Sequence, residues 1–394
     1  MKTYTKLFTA LFWIILQSNL SFAQNNAKSS FGKGVNFTAP DSSFSIKFGV
    51  RFQSLFIAEK LLNETSSKIE SEYLIRRARL KFDGFAYHPN LTYKMEFGLT
   101  NRDMGKPIAE TGNAPGIILD AVLKWKVAKG LSIWFGQTKL PGNRERVISS
   151  QAFQLVDRSI VNSEFNIDRD AGIQVHHSFK IANVVFNEMA SVSQGEGRNI
   201  TVGNKGGYDY TGRVEILPFG NFTNKGDYFG SDLEREETPK LSLAGGYDFN
   251  DDASREQGQL GKFLPGTADL STIMADMMFK YSGFSVMAEY MDKQTDNPVL
   301  TDTSGSVLGT FITGTGINAQ VGYLFKNNIE LAGRYSEVTP SKETGSNQIT
   351  QYTFGISKYI KGHSLKVQSD VSLTQEEGID DQELMFRFQV EMAF

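Results

Sequence analysis

The sequence predicts an all-β fold, a transmembrane antiparallel β-barrel of about sixteen strands. Three observations carry that expectation. Apolar and polar residues alternate in segments of about ten along most of the chain, the period of a strand with one greasy and one wet face. The links between segments alternate between very short and long. Finally, the chain ends "ELMFRFQVEMAF", with Leu384, Phe386, Phe388, Val390, Met392 and Phe394 on one side of a strand that runs to the last residue. A free terminus would ordinarily fray there.

The N-terminus reads as an export signal. Residues 1–23 hold Lys2 and Lys6, an apolar run from Leu7 to Leu16, and small residues at Ser21 and Ala23, which places cleavage after Ala23. The run is about half the ~20 residues that a spanning helix needs. Residues 24–42 are then a short periplasmic N-terminal segment, and 43–394 the barrel. Candidate strands lie near 43–58, 72–87, 90–100, 116–127, 130–138, 169–178, 182–193, 208–217, 240–249, 272–281, 283–291, 316–325, 328–336, 350–360, 363–373 and 383–394. "SFSIKFGVRF" opens the series by setting Phe44, Ile46, Phe48, Val50 and Phe52 against Lys47, Gly49 and Arg51. The segments at 182–193 and 316–325 alternate only weakly.

The links separate a barrel from a sandwich. "HPN" (88–90), "AKG" (128–130), "SG" (282–283), "KNN" (326–328) and "KGH" (361–363) are short. Long polar stretches lie between them, at 59–71, 101–115, 139–168, 194–207, 250–271, 292–315, 337–349 and 374–382. Such alternation fits one rim in the periplasm and the other outside. Residues 218–239 fall where a short turn belongs and read as an elongated periplasmic turn. An even strand count pairs the last strand with the first and leaves no edge, as hydrocarbon requires. Outer-membrane lipid then meets the greasy face, and Phe394 suits the terminal signal read by outer-membrane assembly machinery.

Parity assigns the wet face. On the first four strands, lumen positions hold Lys47, Arg51, Arg77, Arg79, Lys81, Lys94, Lys124 and Lys126 against Asp83, Glu96 and Asp120. On the rest they hold Arg213, Lys280, Arg334, Lys366 and Arg387 against Asp170, Glu215, Asp248, Asp276, Glu289, Glu330, Asp370 and Glu391. The wall is thus basic over its first quarter and mildly acidic elsewhere, although the net charge of −3 falls to −5 once Lys2 and Lys6 are removed. A basic strip would enrich anions along one side. Arg77, Arg79 and Lys81 form a ladder on alternate positions, and Arg forks fit phosphate or carboxylate oxygens. The bland alternative is that these charges pair across strands and solvate the wall. Arg76 breaks parity and is expected to point outward, at a rim or a subunit interface, where an exposed base costs about 0–1 kcal/mol.

Five segments, "RRARLKFDG" (76–84), "FGQTKLPGNRERVISS" (135–150), "LVDRSIVN" (155–162), "RDAGIQV" (169–175) and "YTGRVEILPF" (210–219), resemble the phosphate-selective porin O and P family. The resemblance extends over most of 43–394. It implies a sixteen-stranded outer-membrane barrel, a homotrimer, that passes small anions and folds its third long loop into the lumen. Here that loop is 139–168, the candidate constriction loop. Its charges balance, so internal pairing is expected to hold its shape. Arg144, Arg146 and Arg158 are its candidate ion-facing bases, the first two foremost, with pure scaffolding as the alternative. No dense Lys cluster stands out, so the expectation is a porin for small hydrophilic solutes with anion preference, phosphate among them.

Other classes fit poorly. The chain has no Cys, which removes disulfides and thiolate metal sites. Of its four His, His88 and His363 fall in turns, while His176 and His177 are adjacent on a strand and face opposite ways. No cofactor, metal or catalytic residue is expected, and an acidic chain gives no reason to bind nucleic acid. The rival readings are an outer-membrane hydrolase, which needs a Ser–His pair at one rim, and a plugged adhesive or structural barrel.

Overall fold

The computed structural model describes residues 31–63, 68–112 and 116–394. The export signal at 1–23 lies outside the described residues. A short strand β1 (Val35–Thr38) precedes β2 (Ser45–Leu61), β3 (Glu70–Ala86), β4 (His88–Gly98), β5 (Ile118–Ala128), β6 (Leu131–Lys139), β7 (Arg169–Ile181), β8 (Val184–Ser193) and β9 (Asp209–Leu217). There follow β10 (Lys240–Arg255), β11 (Phe263–Tyr281), β12 (Phe284–Gln294), a small hairpin of β13 (Val299–Thr301) and β14 (Val307–Thr310), and then β15 (Gly314–Leu324), β16 (Ile329–Pro340), β17 (Ile349–Tyr359), β18 (Leu365–Glu376) and β19 (Gln382–Ala393). Short α-helices α1 (Asn101–Met104), α2 (Arg144–Val147) and α3 (Ile160–Phe165) lie in the long links.

Sixteen strands, β2 to β12 and β15 to β19, pair antiparallel with their neighbours in chain order. β19 closes on β2 in a ladder from Glu383↔Leu61 to Ala393↔Arg51. Phe394 completes it by exchanging both backbone bonds with Val50, at 2.9 and 2.8 Å. Below that point β1 takes over the same edge of β2, from Val35↔Phe48 to Thr38↔Ser45. Part of the expected N-terminal tail is therefore built into the sheet.

The terminal strand shows why the pattern demands closure. Phe386, Phe388 and Val390 face outward and are exposed, whereas Arg387, Gln389 and Glu391 face inward and are buried. The same outward exposure of large apolar residues recurs around the barrel, at Phe135, Ile173, Val214, Tyr247, Ile317 and Phe354. Among the described residues no helix is long and apolar enough to cross a membrane; the strands supply the apolar face instead.

One long link and the direction of Arg76 differ from the sequence expectation. The stretch 250–271 is not a loop: β10 and β11 run past the apolar belt and leave only 256–262 between them. Above the membrane the outer face is wet too, so alternation fades while the pairing continues. Arg76 does not point outward either. A register shift lies between the pairs Gln53↔Arg77 and Ser54↔Ile75, which leaves Arg76 as the extra residue of a bulge. Its guanidinium swings in to Asp157.

Candidate pore and its lining

The chain leaves β6 at Lys139 and crosses the interior before β7 begins. Its contacts define the path. Arg144, at the start of α2, donates to Asp276 of β11 (2.9 Å) and Ser242 of β10 (2.9 Å). The backbone N–H of Glu145 donates to Glu289 of β12 (2.7 Å). Gln154 donates to Ser285 of β12 and Glu330 of β16, both at 2.7 Å, and the N–H of Val156 to Asp370 of β18 at 2.9 Å. Asp157 then accepts from Arg76 (2.7 Å) and Arg77 (3.0 Å) of β3. A segment that touches β11, β16, β18 and β3 in turn can only run across the lumen.

Packing holds it there. Leu140, Val161, Phe165 and Ile167 form one buried cluster with Met274, Met291 and Val338 of the wall. Each such fully buried side chain contributes about 1.5–3 kcal/mol. The wall makes room with glycine. A Cβ at Gly316 would lie 2.7 Å from Val161, and one at Gly355 would lie 2.5 Å from Leu155.

The link 218–239 comes in from the opposite rim. Lys280 donates to the carbonyls of Gly226 (2.8 Å) and Ser231 (2.6 Å), and Tyr228 to Glu215 (2.8 Å). The two segments meet where the N–H of Gly230 donates to the carbonyl of Ala152 (2.8 Å) and Arg144 donates to that of Asp227 (3.3 Å). Phe222, Ile148 and Phe153 pack there with Val185, Leu217, Met278 and Met287. Together they cover the wall from β9 round to β19. All thirteen charged residues that parity places on the lumen face beyond β5 are buried.

What stays open is a cavity of about 1120 Å³ against the other wall. Its lining includes Arg102, Arg198 and Leu260 from the long-loop rim and Gly130, Asn224 and Lys225 from the short-turn rim, so it runs the height of the barrel. Among the described residues it is lined by fourteen lysines and arginines and only four carboxylates.

Of the bases singled out in the sequence, Arg77, Arg79, Lys81, Lys94, Lys124, Arg146 and Arg158 line this cavity. Three do not. Arg51 is buried under the loop, between Glu391 (2.7 Å) and Ser150 (2.8 Å). Arg144 is fully buried on the covered wall and faces no permeant ion. Lys126 is exposed beside the 128–131 turn, outside the lining. The expected internal balance of the loop is also only half right: Arg146 pairs with Asp168 inside it, but Arg144 and Asp157 pair with the wall. Arg158 donates to loop carbonyls of Glu145 and Ile148, both at 3.1 Å.

Sequence reasoning missed Lys139, Arg169, Arg198 and Lys225, which line the same cavity. Arg198 and Lys225 lie in links, where no period indicates direction. The absence of a Lys run misled too, because Lys81, Lys94, Lys124, Lys139 and Lys225 come together only in space.

The carboxylates act as spacers between bases. Glu96 is shared by Arg79 (2.9 Å) and Lys94 (3.1 Å), and Asp120 by Lys94 (2.7 Å) and Arg169 (3.0 Å). Asp157 is shared by Arg76 and Arg77. With Asp103, which also pairs with Arg79 (2.9 Å), four acids fix five bases in a row and leave the row positive. Burial alone would raise the Asp157 carboxyl, but Arg77 and Arg76 outweigh it and hold it well below the usual range. The anchor stays ionised through any physiological acidity.

The geometry agrees with what comparison with known proteins finds. The structure resembles the outer-membrane channel DcaP of Acinetobacter baumannii (12% identity, 92% of this chain and 100% of that one, TM-score 0.57). It also resembles an anion-selective porin from Comamonas acidovorans (10% identity, 89% and 100%, TM-score 0.54) and the outer-membrane protein OmpT of Vibrio cholerae (10%, 91% and 100%, TM-score 0.53). At such identities the likeness is one of fold. No curated protein sequence matches the chain. The sequence profile of the phosphate-selective porin O and P family matches residues 46–382. The chain belongs to that family, and it is a porin of the bacterial outer membrane.

Proposed function

We propose that the protein lets small hydrophilic solutes diffuse across the outer membrane with a preference for anions, phosphate among them. The observation that carries this is the lining: fourteen bases against four acids in the cavity between the rims. Low-dielectric walls focus the field of such a row, so anions concentrate in the pore and cations are depleted. Residues 139–168 are the constriction, and their charged contacts hold the loop against the acid-bearing wall. The structural neighbour from Comamonas is itself described as anion-selective. Homotrimeric assembly, a leader at 1–23, capture of Phe394 by assembly machinery and the absence of catalysis belong to the same reading.

Reversal potentials in planar bilayers under a potassium chloride gradient test it. Wild type is expected to favour chloride, and replacing Arg77 and Arg79 together by Glu to move the potential toward potassium. A cation-selective wild type would reject the anion preference. The in-folding from both rims gives some support to a plugged barrel; liposome swelling with small sugars separates the two, since a plugged barrel gives none.

A further inference from the structure

His177 on β7 and Glu188 on β8 lie on the outward face of the wall. Their chain neighbours show the direction. His176 stacks on Trp134 inside the barrel, and Val185 packs in the lumen cluster under the link, so the alternate residues His177, Phe186 and Glu188 turn outward. The two are register partners, and Nδ1 of His177 donates to Oε2 of Glu188 (3.0 Å). Their side chains are 41% and 50% exposed, and on this face the surrounding medium is lipid. Among the described residues no other hydrogen bond reaches the Glu188 carboxylate, so Oε1 is free to accept one.

The depth of the pair explains why a charge is tolerated there. Phe179 and Phe186 stack in the next row below (5.1 Å, 9°), and Ile181 pairs with Val184 at the turn itself. Four residues of strand place the pair about 13 Å from the short-turn end, and less than that in height because barrel strands tilt. This is the girdle of the periplasmic leaflet, where an outward charge costs little and aromatic rings collect.

The same row leads into a recess. From Glu188 the register runs to Val214, Gly245 and Ala275. Gly245 and Ala275 are small where Phe135, Phe354 and Phe388 stand elsewhere on the outward face. Ala288, the partner of Met277, continues the gap onto β12. The result is an apolar groove of about 630 Å³ walled by Val214, Ile216, Leu243, Met277, Tyr290 and Ile317. Ala275 is six residues from the short-turn end of its strand at Tyr281, whereas Glu188 is four from Val184. An acid therefore sits low at one end, and a greasy trough rises from it toward mid-bilayer.

We propose that this row seats one phospholipid of the periplasmic leaflet, with an ammonium-bearing headgroup on Glu188 and an acyl chain in the groove. Charge selects the lipid. A carboxylate steadied by His177 attracts an ethanolamine ammonium and repels the net negative charge of a phosphatidylglycerol. A second copy of the chain is a poorer occupant, because packing it here would bury the Glu188 carboxylate away from any base. The seat depends on the barrel's place in the outer membrane and not on the anion preference.

Native mass spectrometry of the full-length protein tests it, with release from detergent micelles that hold equimolar dioleoyl phosphatidylethanolamine and phosphatidylglycerol. Wild type should retain one ethanolamine lipid per chain, favoured about fivefold over the glycerol lipid, the size of one screened charge contact. Glu188→Gln should erase that preference and leave single-channel chloride conductance at the wild-type value, since the side chain does not face the pore. Ala275→Leu, which fills the groove, should lower retention of both lipids; Val371→Leu, on the outward face of β18, should not. A wild type that prefers the glycerol lipid, or a preference that survives Glu188→Gln, overturns the headgroup contact. Retention unchanged by Ala275→Leu overturns the groove. If assembled copies exclude the lipid and only separated chains retain it, the row is a subunit interface and the lipid seat is overturned.

Discussion

The wall from β3 to β7 and the wall from β10 to β19 are built to the same rule, yet one lines the open cavity and the other does not. Both alternate, and both put charged residues on the lumen face. On the first wall, carboxylates are few, and Glu96 and Asp120 each bridge two bases, so the charge left facing the cavity is positive. On the second, acids outnumber bases, and loop 139–168 and link 218–239 lie over them. The lesson is that selectivity depends on which wall is covered rather than on the sum of charges. A chain of net charge −3 can present a strongly cationic pore because its acids are spent on holding the cover.

The comparison breaks most completely at Arg144. Its guanidinium sits between Asp276 and Glu215, all three buried. Removing one partner from such a network costs about 3–5 kcal/mol, because the other charges remain buried and unpaired. Arg144→Met should therefore lift the start of the loop off the acid-bearing wall. Single-channel conductance is then expected to rise and anion preference to fall together; wild-type values for both would show that the cover does not depend on this anchor.

A smaller disturbance is available at Gly316, where any side chain meets Val161 and Phe165. Overpacking of this kind costs about 1–3 kcal/mol. Gly316→Leu should displace α3 alone, raising conductance with a lesser change in reversal potential than Arg144→Met gives. Equal effects from the two variants would mean that the loop moves as one rigid piece.

The smallest expected effect sharpens the account of the link. His363, in the turn 360–364, stacks on Phe229 (5.4 Å) and is half-buried, with both ring nitrogens shielded from solvent. Burial chiefly, with Lys366 and Lys280 adding to it, holds its imidazole well below the usual 6.5. The unfolded ring takes up a proton near pH 6.5 and the folded one resists, so stability is full above that value and declines as pH falls below it. The heat-unfolding midpoint in detergent should show this decline, and His363→Phe should flatten it. A decline of equal slope in the variant would assign it elsewhere.

All sixteen barrel strands were legible in the sequence, because a lipid face and a lumen face impose a period of two. The weak segments are informative. Val185 on β8 and Gly316 and Gly322 on β15 face the lumen, but what they meet there is the link or the loop rather than water. A covered lumen face has no need of polar residues, so alternation fades where the cover lies. Parity failed at Arg76 for another reason, a bulge that inserts one residue and turns it inward. It had nothing to say about Arg198 or Lys225, which are in links. Arg144 and Arg146 in α2 could not be separated either: two residues apart on a helix they point nearly opposite ways, and only the tertiary structure shows which one faces the open side.

The absence of cysteine permits a direct test of the cover. Single cysteines can be placed at Lys81 and Lys94 on the open wall and at Ser336 and Ser372, both fully buried on the other. A small, negatively charged thiol reagent is then added to folded channels while the current is recorded. The account predicts rapid modification and loss of chloride current at Lys81→Cys and Lys94→Cys, with Ser336→Cys and Ser372→Cys unmodified. Comparable modification at all four positions would contradict it.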